Sequence, residues 1–350
     1  MALLKDEGGG QPPISYFILH IYIVIELLRD IRTYLRADFK GGLYAATALW
    51  AALLIALNYS VGLENNYIDA RPFSPWRLLW YVALYGAAYY GAFALWGWFH
   101  NRPDIWRNGR FWRHTGVALL VYSGYASFSL YDTWARQISD YRLYLYVYKC
   151  VANLHSIGTI VLPLLLYYVL VDKPRNGFYG LQPKRKGLTT YLALLALMVP
   201  IIGFASTQPD FLLAYPTYRN MPVHEALNVP EWLTALGYEL AYGWDFVPTE
   251  LLFRGFLVIG LAPVVRTAGP YGVDQAQKLS IGVEPGPVLP MIVWYATIHF
   301  GRPVGETVSS LFGGYILGVL ALSTRSIWGG LLIHIGIAWL MEAFAFWQMR

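Results

Sequence analysis

The sequence predicts an all-α fold, a polytopic integral membrane bundle of nine to ten spans, and three observations carry that expectation. Hydrophobic residues make up 57% of the 350 residues and charged residues only 13%, about half the charged share of a soluble domain. Apolar runs near the ~20 residues that a bilayer demands recur from end to end, so the hydrophobicity is not confined to one anchor. Basic residues alternate between rich and poor loops along the chain, as the positive-inside rule requires of successive spans.

Met1–Pro13 is polar and rich in Gly and Pro, and is expected to be an irregular tail. It shows no basic segment followed by a small-residue cleavage site, so no removable signal peptide is expected. Ile14–Leu28 is a short apolar span interrupted by His20 and Glu26. It continues into RDIRTYLRADFK, where Leu27, Leu28, Ile31, Tyr34 and Leu35 keep helical spacing beside Arg29, Arg32 and Arg36, a pattern suited to an interfacial helix. Clearer spans are read at Leu43–Leu63, Leu78–Phe99, Thr115–Tyr131, Leu143–Val171 and Leu188–Ser206, then at Trp232–Val265, Val288–Phe300, Val304–Leu322 and Ile327–Trp347. Pro248 should kink the long segment that contains it. Residues 14–172 form a five-span N-terminal region and 173–350 a membrane core.

Arg29, Arg32, Arg36 and Lys40 form one basic loop, Arg102, Arg107, Arg110 and Arg113 a second, and Lys173, Arg175, Lys184, Arg185 and Lys186 a third. The intervening loops hold only Arg71 and Arg77, then Arg136 and Arg142, then Arg219. The first set is read as cytoplasmic and the N-terminus as external, in a prokaryotic inner membrane. The net charge of +5 sits next to spans, which marks orientation and not a nucleic-acid surface. The lone Cys150 excludes an internal disulfide framework and a CxxC metal site. Among the 14 tryptophans, Trp76, Trp80, Trp96, Trp98, Trp106, Trp112 and Trp134 are read as interface anchors. Thr207–Glu231, with four prolines and no helical period, is read as an external cap. Gly313, Gly314 and Gly318 give one helix a face of small residues for close packing.

Chemistry concentrates in Gly243–Gly260, GWDFVPTELLFRGFLVIG. Glu250 and Arg254, four apart in an apolar run, share a helix face and can pair. Ionisable residues at membrane depth mark either a paired structural charge or a site. His299 and His334 each stand alone in a later apolar segment. Together the four could polarise a water, with a carboxylate as base and histidines at the oxyanion. Alternatively Glu250, His299 and His334 could hold a divalent metal such as zinc, without the HExxH spacing on one helix. His20, Glu26, His155 and Glu239 are read as structural.

TELLFRG, then YATIHF, then SIWGGLLIHIGIA resemble, in order, the Glu-Glu-x-x-x-Arg, aromatic-x-x-x-His and His-x-x-x-Asn/Asp motifs of the CAAX-type prenyl protease and bacteriocin-processing family of intramembrane proteases. FYGLQPKRKG resembles the basic loop before that family's core, so the resemblance covers about residues 178–347. It implies an intramembrane endopeptidase open to the cytoplasmic half of the bilayer, acting on a membrane-anchored protein or peptide, with membrane lipids and other membrane subunits as partners. Glu250 falls on the motif's second glutamate, Arg254 on its arginine, and His299 and His334 on its histidines. Thr249 stands where the family has its water-activating glutamate, Ala338 where it has Asn or Asp, and Tyr295 where phenylalanine is usual. A threonine hydroxyl does not titrate near neutral pH and cannot be that base. Asp245, one turn before Thr249, Glu342, two turns after His334, and Glu306, seven residues after His299, are the candidate substitute acids. The competing expectation is a catalytically inactive homologue that serves as a membrane scaffold or binding subunit.

Overall fold

Hydrocarbon offers no partner for a backbone N–H or C=O, so an apolar segment crossing it must close its hydrogen bonds within itself as a helix. The computed structural model describes residues 27–173, 177–184, 188–219, 221–267 and 286–349, and among these it is all-helical, with no strand. Helix α1 covers 27–38, so the tail, His20, Glu26 and most of the first expected span lie outside the described residues, as do Arg175, Arg185 and Lys186.

Helix α2 (Gly41–Val61) ends where Gly62 takes φ 65°, a conformation only glycine adopts freely. Helix α3 (Trp76–Phe99) returns, and α4 (Gly109–Ser127) starts at Asn108, whose side chain accepts from the Arg110 and Phe111 N–H groups at 2.9 and 3.4 Å. A short α5 (Leu130–Ala135) leads to α6 (Tyr141–Asp172), and α7 (Leu188–Ala205) follows. The segment expected to lack helical period carries two short helices, α8 (Pro209–Ala214) and α9 (Val223–Leu227), of 6 and 5 residues. Elements so short hold too few residues to display a period. Then come α10 (Glu231–Arg266), α11 (Val288–Thr297), α12 (Val304–Thr324) and α13 (Trp328–Gln348).

Seven of these, α2, α3, α6, α7, α10, α12 and α13, are long and apolar enough to cross a membrane. Their outer faces carry large exposed apolar side chains such as Leu49, Leu170, Phe204 and Phe312, surface that suits lipid and would drive association in water. Two further expected spans are helices of another kind. Helix α4 opens with Arg110, Arg113 and His114 and buries His114, Thr115 and Ser123 against protein. Helix α11 has 10 residues, all buried. At ~1.5 Å per residue it reaches about half way across the hydrocarbon. Such a segment is tolerated at membrane depth because protein encloses it.

That enclosure ties the two halves of the chain into one core. Trp294 of α11 lies 5.7 and 5.5 Å from the rings of Tyr85 and Tyr89 on α3, 6.0 Å from Tyr122 on α4 and 5.5 Å from Phe253 on α10. On the other side of α11, Gly314 and Gly318 let α12 close in. An added Cβ would sit 3.2 Å from Tyr295 at the first and 2.9 Å from Met291 at the second. Gly313 faces open space. Of the tryptophans read as interface anchors, Trp96 is a core residue, 1% exposed, whose indole donates to Asp38 Oδ1 at 2.9 Å. Trp76, Trp80, Trp98, Trp112 and Trp134 are exposed at helix ends.

Helix α10 holds the fold's main irregularity. Pro248 has no N–H for the Trp244 carbonyl, and the α-helix breaks between them, at Asp245. From Leu251 to Gly260 the backbone widens into a π-helix whose first nine residues are all buried. The wider register exposes the Phe256 carbonyl, which accepts from His114 Nε2 at 2.9 Å. Gly255 lets the Tyr179 backbone cross α10, since an added Cβ would lie 2.7 Å from its carbonyl oxygen. The loop containing Tyr179 in turn clamps the α12–α13 turn: Ile327 N–H donates to the Gly180 carbonyl at 3.0 Å, and the Trp328 indole to that of Leu181.

Candidate functional site

Three helices, α10, α11 and α13, meet around Glu250. Its Oε1 lies 3.0 Å from Arg254 Nη1, one turn on, and 2.7 Å from Nδ1 of His334 on α13. Glu250 and Arg254 are both 0% exposed. The contacts are short but depart from hydrogen-bond angles, so charge, more than aligned hydrogen bonds, holds this cluster. Gly330 makes room for it, because a Cβ there would sit 2.1 Å from Glu250 Oε2. Arg254 lies 4.0 Å over the ring of Tyr295, a buried cation–π contact. The Tyr295 hydroxyl is 3.0 Å from Nε2 of His334. Nδ1 faces the carboxylate, which favours the neutral tautomer protonated there, and in that tautomer Nε2 accepts from the phenol.

His299 follows Tyr295 by one turn, and its Nδ1 donates to the Tyr295 carbonyl at 2.8 Å. Its ring lies 4.8 Å from that of Tyr295, and His334's lies 6.1 Å from it. One tyrosine therefore sits between the two histidines. Phe246 stacks on the outer side of His334 at 5.8 Å.

Tyr295, His299 and His334 form part of the wall of a cavity of about 900 Å³ between α3, α4, α7, α10, α11, α12 and α13. Thr249, Asp245, Glu306, Arg302 and Ala338 also line it, and Glu250, Arg254 and Glu342 do not. Its far wall is apolar, with Leu194, Leu197, Ile316 and Leu317. It extends to Glu64, Gln208, Asp210 and Tyr215, at the end of the bundle whose loops are poor in basic residues. No described residue of the basic loops lines it.

The residues singled out from the sequence separate into distinct positions. Glu250, the expected base, stands behind His334 and is shielded from the cavity. The Thr249 hydroxyl donates back to the Asp245 carbonyl at 3.0 Å. Asp245 faces the cavity and accepts from Tyr125 at 3.1 Å. Glu306 does so too and accepts from Tyr215 at 3.4 Å. Glu342 is turned away. Its Oε1 accepts from the Thr217 N–H and hydroxyl, each at 2.7 Å, so it pins the segment between α8 and α9 onto α13. His155 is enclosed by the rings of Tyr125, Phe128 and Tyr131 at 4.7, 5.5 and 4.9 Å, a packing role.

A metal does not fit the donors present. Among the described residues no three His, Cys, Asp or Glu side chains are grouped to hold one. Both nitrogens of His334 face other partners, and His299 offers a single free nitrogen.

Sequence reasoning noted Tyr295 only as a departure from a motif and missed Arg302 and the other tyrosines that furnish the cavity's hydroxyls. The signal for the last was present, 28 tyrosines in 350 residues. With the geometry established, comparison adds no relative: no family model matches the chain, and no curated protein or solved structure matches it.

Proposed function

We propose that this chain is an intramembrane endopeptidase of CAAX type, which cleaves a membrane-anchored protein or peptide with a water activated beside His299 and His334. The observation that carries this reading is the shared cavity. Two intramembrane histidines, the hydroxyl between them and the motif position Thr249 face one space large enough for an extended peptide segment. Glu250 and Arg254 lie behind that wall, as a charge pair that fixes His334. In a reconstituted system, wild type should cleave a membrane-anchored reporter. His299→Ala and His334→Ala should each lower the rate by ~10²-fold or more, the usual worth of a proton-transferring group.

The second reading, a scaffold or binding subunit that kept the fold, is favoured by Thr249 and Ala338, two motif positions without their carboxylate or amide. Thr249→Glu separates the two. In a site that already has a base, a carboxylate added beside Asp245 should change cleavage less than tenfold or lower it. In a vacant site it should raise turnover by ~10²–10⁴. An inactive wild type, with its cellular role intact in both histidine variants, gives the scaffold reading.

For orientation we propose an external N-terminus, a prokaryotic inner membrane and ten crossings, the seven long helices with α4, α11 and its following turn, and residues 14–26, or nine if 14–26 lies flat. Cysteines introduced one at a time into a Cys150→Ser background test the first point. Arg71→Cys should react with an impermeant maleimide from outside intact cells and Arg110→Cys only after lysis. The opposite pattern inverts the topology.

A further inference from the structure

The motif position expected to hold the base is a threonine, yet a proton acceptor is built into the cavity wall from the other side. We infer that the hydroxyl of Tyr295 is the group that takes the proton from the attacking water, with His334 as its acceptor and Glu250 as the residue that positions His334. The contacts run from the Tyr295 hydroxyl, hydrogen-bonded to His334 Nε2 at 3.0 Å, to His334 Nδ1, which lies against Glu250 Oε1 at 2.7 Å in a charge contact off hydrogen-bond alignment. Of these three residues, Glu250 is sealed off, while Tyr295 and His334 line the cavity. A phenol that donates to a ring nitrogen keeps oxygen lone pairs free to accept from a water. A nucleophile or proton carrier backed by a base, which a third group orients, is the arrangement that activates hydroxyl groups generally. Arg254, 4.0 Å over the ring of Tyr295, adds a fixed positive charge beside the phenol oxygen's electron density. Phenylalanine would fill the same space and keep that cation–π contact, so packing does not call for the hydroxyl.

In the step this implies, the water oxygen forms its bond to the carbonyl carbon as the carbonyl π pair moves onto oxygen. One water proton passes to the Tyr295 oxygen while the phenol proton passes to His334 Nε2, and Glu250 holds the resulting imidazolium. The oxyanion's pair then re-forms the carbonyl as the C–N bond breaks, and that bond's electron pair stays on nitrogen. The proton then returns from Nε2 through Tyr295 to the leaving amine, which restores the starting state.

The mechanism of cleavage rests on the proposed function, but the reactivity of Tyr295 does not, and a substrate-independent probe measures it. An apolar aryl sulfonyl fluoride reacts with an activated phenol: the phenol oxygen bonds to sulfur, fluoride leaves, and the phenol proton goes to His334. Tyr242 lines the same cavity without a histidine partner and serves as the internal reference. In membranes, peptide mass spectrometry should find Tyr295 modified at least ~10-fold faster than Tyr242, in line with the weight of one base. His334→Gln and Glu250→Gln should bring Tyr295 down to the Tyr242 rate and leave Tyr242 unchanged. Tyr295→Phe should fold as wild type and lose ~10²-fold in reporter cleavage. Equal rates at the two tyrosines, or a Tyr295 rate untouched by His334→Gln, overturn the inference whatever the cleavage assay gives. Selective Tyr295 labelling with no cleavage by wild type leaves the relay standing and removes the endopeptidase reading instead.

Discussion

Arg254→Ala should fail to accumulate as a folded protein. The substitution leaves Glu250, wholly buried, facing no cation except what His334 can supply, and removes the guanidinium from the Tyr295 ring. Breaking a buried pair from one side costs about 3–5 kcal/mol, a large part of the 5–15 kcal/mol by which domains are usually stable. Fluorescence-detected size-exclusion chromatography of a tagged protein in mild detergent should show most of the variant in the void volume. The same argument fixes the sign of the double variant. Arg254→Leu with Glu250→Leu leaves no uncompensated charge, and a buried pair replaced by apolar groups is often neutral or better. The double variant should therefore recover the monodisperse peak that Arg254→Ala loses, while losing the orientation of His334 and any activity that depends on it. A monodisperse, heat-resistant Arg254→Ala protein would remove the structural role from this pair.

What the sequence reveals about this region follows from which distances are local. Glu250 and Arg254 are one helical turn apart, so their pairing is readable from spacing alone, and even the π register of α10 leaves them at 3.0 Å. The apolar runs show where helices lie for the same reason, since hydropathy is a property of consecutive residues. It cannot distinguish a helix buried in lipid from one buried in protein. This is why α11, enclosed on every side, reads as a span, and why Trp96, bonded to Asp38, reads as an interface anchor. Glu342 fails as a substitute acid for a metric reason. Eight residues from His334 preserve the face but carry it ~12 Å along the helix, to the level of Thr217. Tyr295 differs by one oxygen from the phenylalanine of the motif that the sequence resembles, and nothing local says where that oxygen points. Its partner His334 is 39 residues away, on a helix reached only through the packing of α11, α12 and α13.

The close approach of α13 to α10 makes Gly330 the most sensitive small residue in the site. A methyl group there would lie 2.1 Å from Glu250 Oε2 and 2.9 Å from its carboxyl carbon, well inside van der Waals contact. Carboxylates on flexible stems can often swing aside, but this one is held by Arg254 and His334 and has no solvent to swing into. Gly330→Ala should therefore either push α13 away from α10 or expel the carboxylate from His334. Overpacking of this kind costs about 1–3 kcal/mol before any loss of ion pairing is added. The expected result is a lowered thermal midpoint in detergent and Tyr295 labelling reduced to the Tyr242 rate. A double-mutant cycle identifies the cause. In a Glu250→Ala, Arg254→Leu background, which leaves no uncompensated charge, the new methyl group meets no carboxylate, so adding Gly330→Ala should cost less than about 1 kcal/mol, and the difference from its cost in wild type is the interaction energy of the pair. If Gly330→Ala is as damaging in that background as in wild type, the glycine serves helix packing in general. If its effect disappears there, the space it leaves is what allows a buried carboxylate to reach His334 at all.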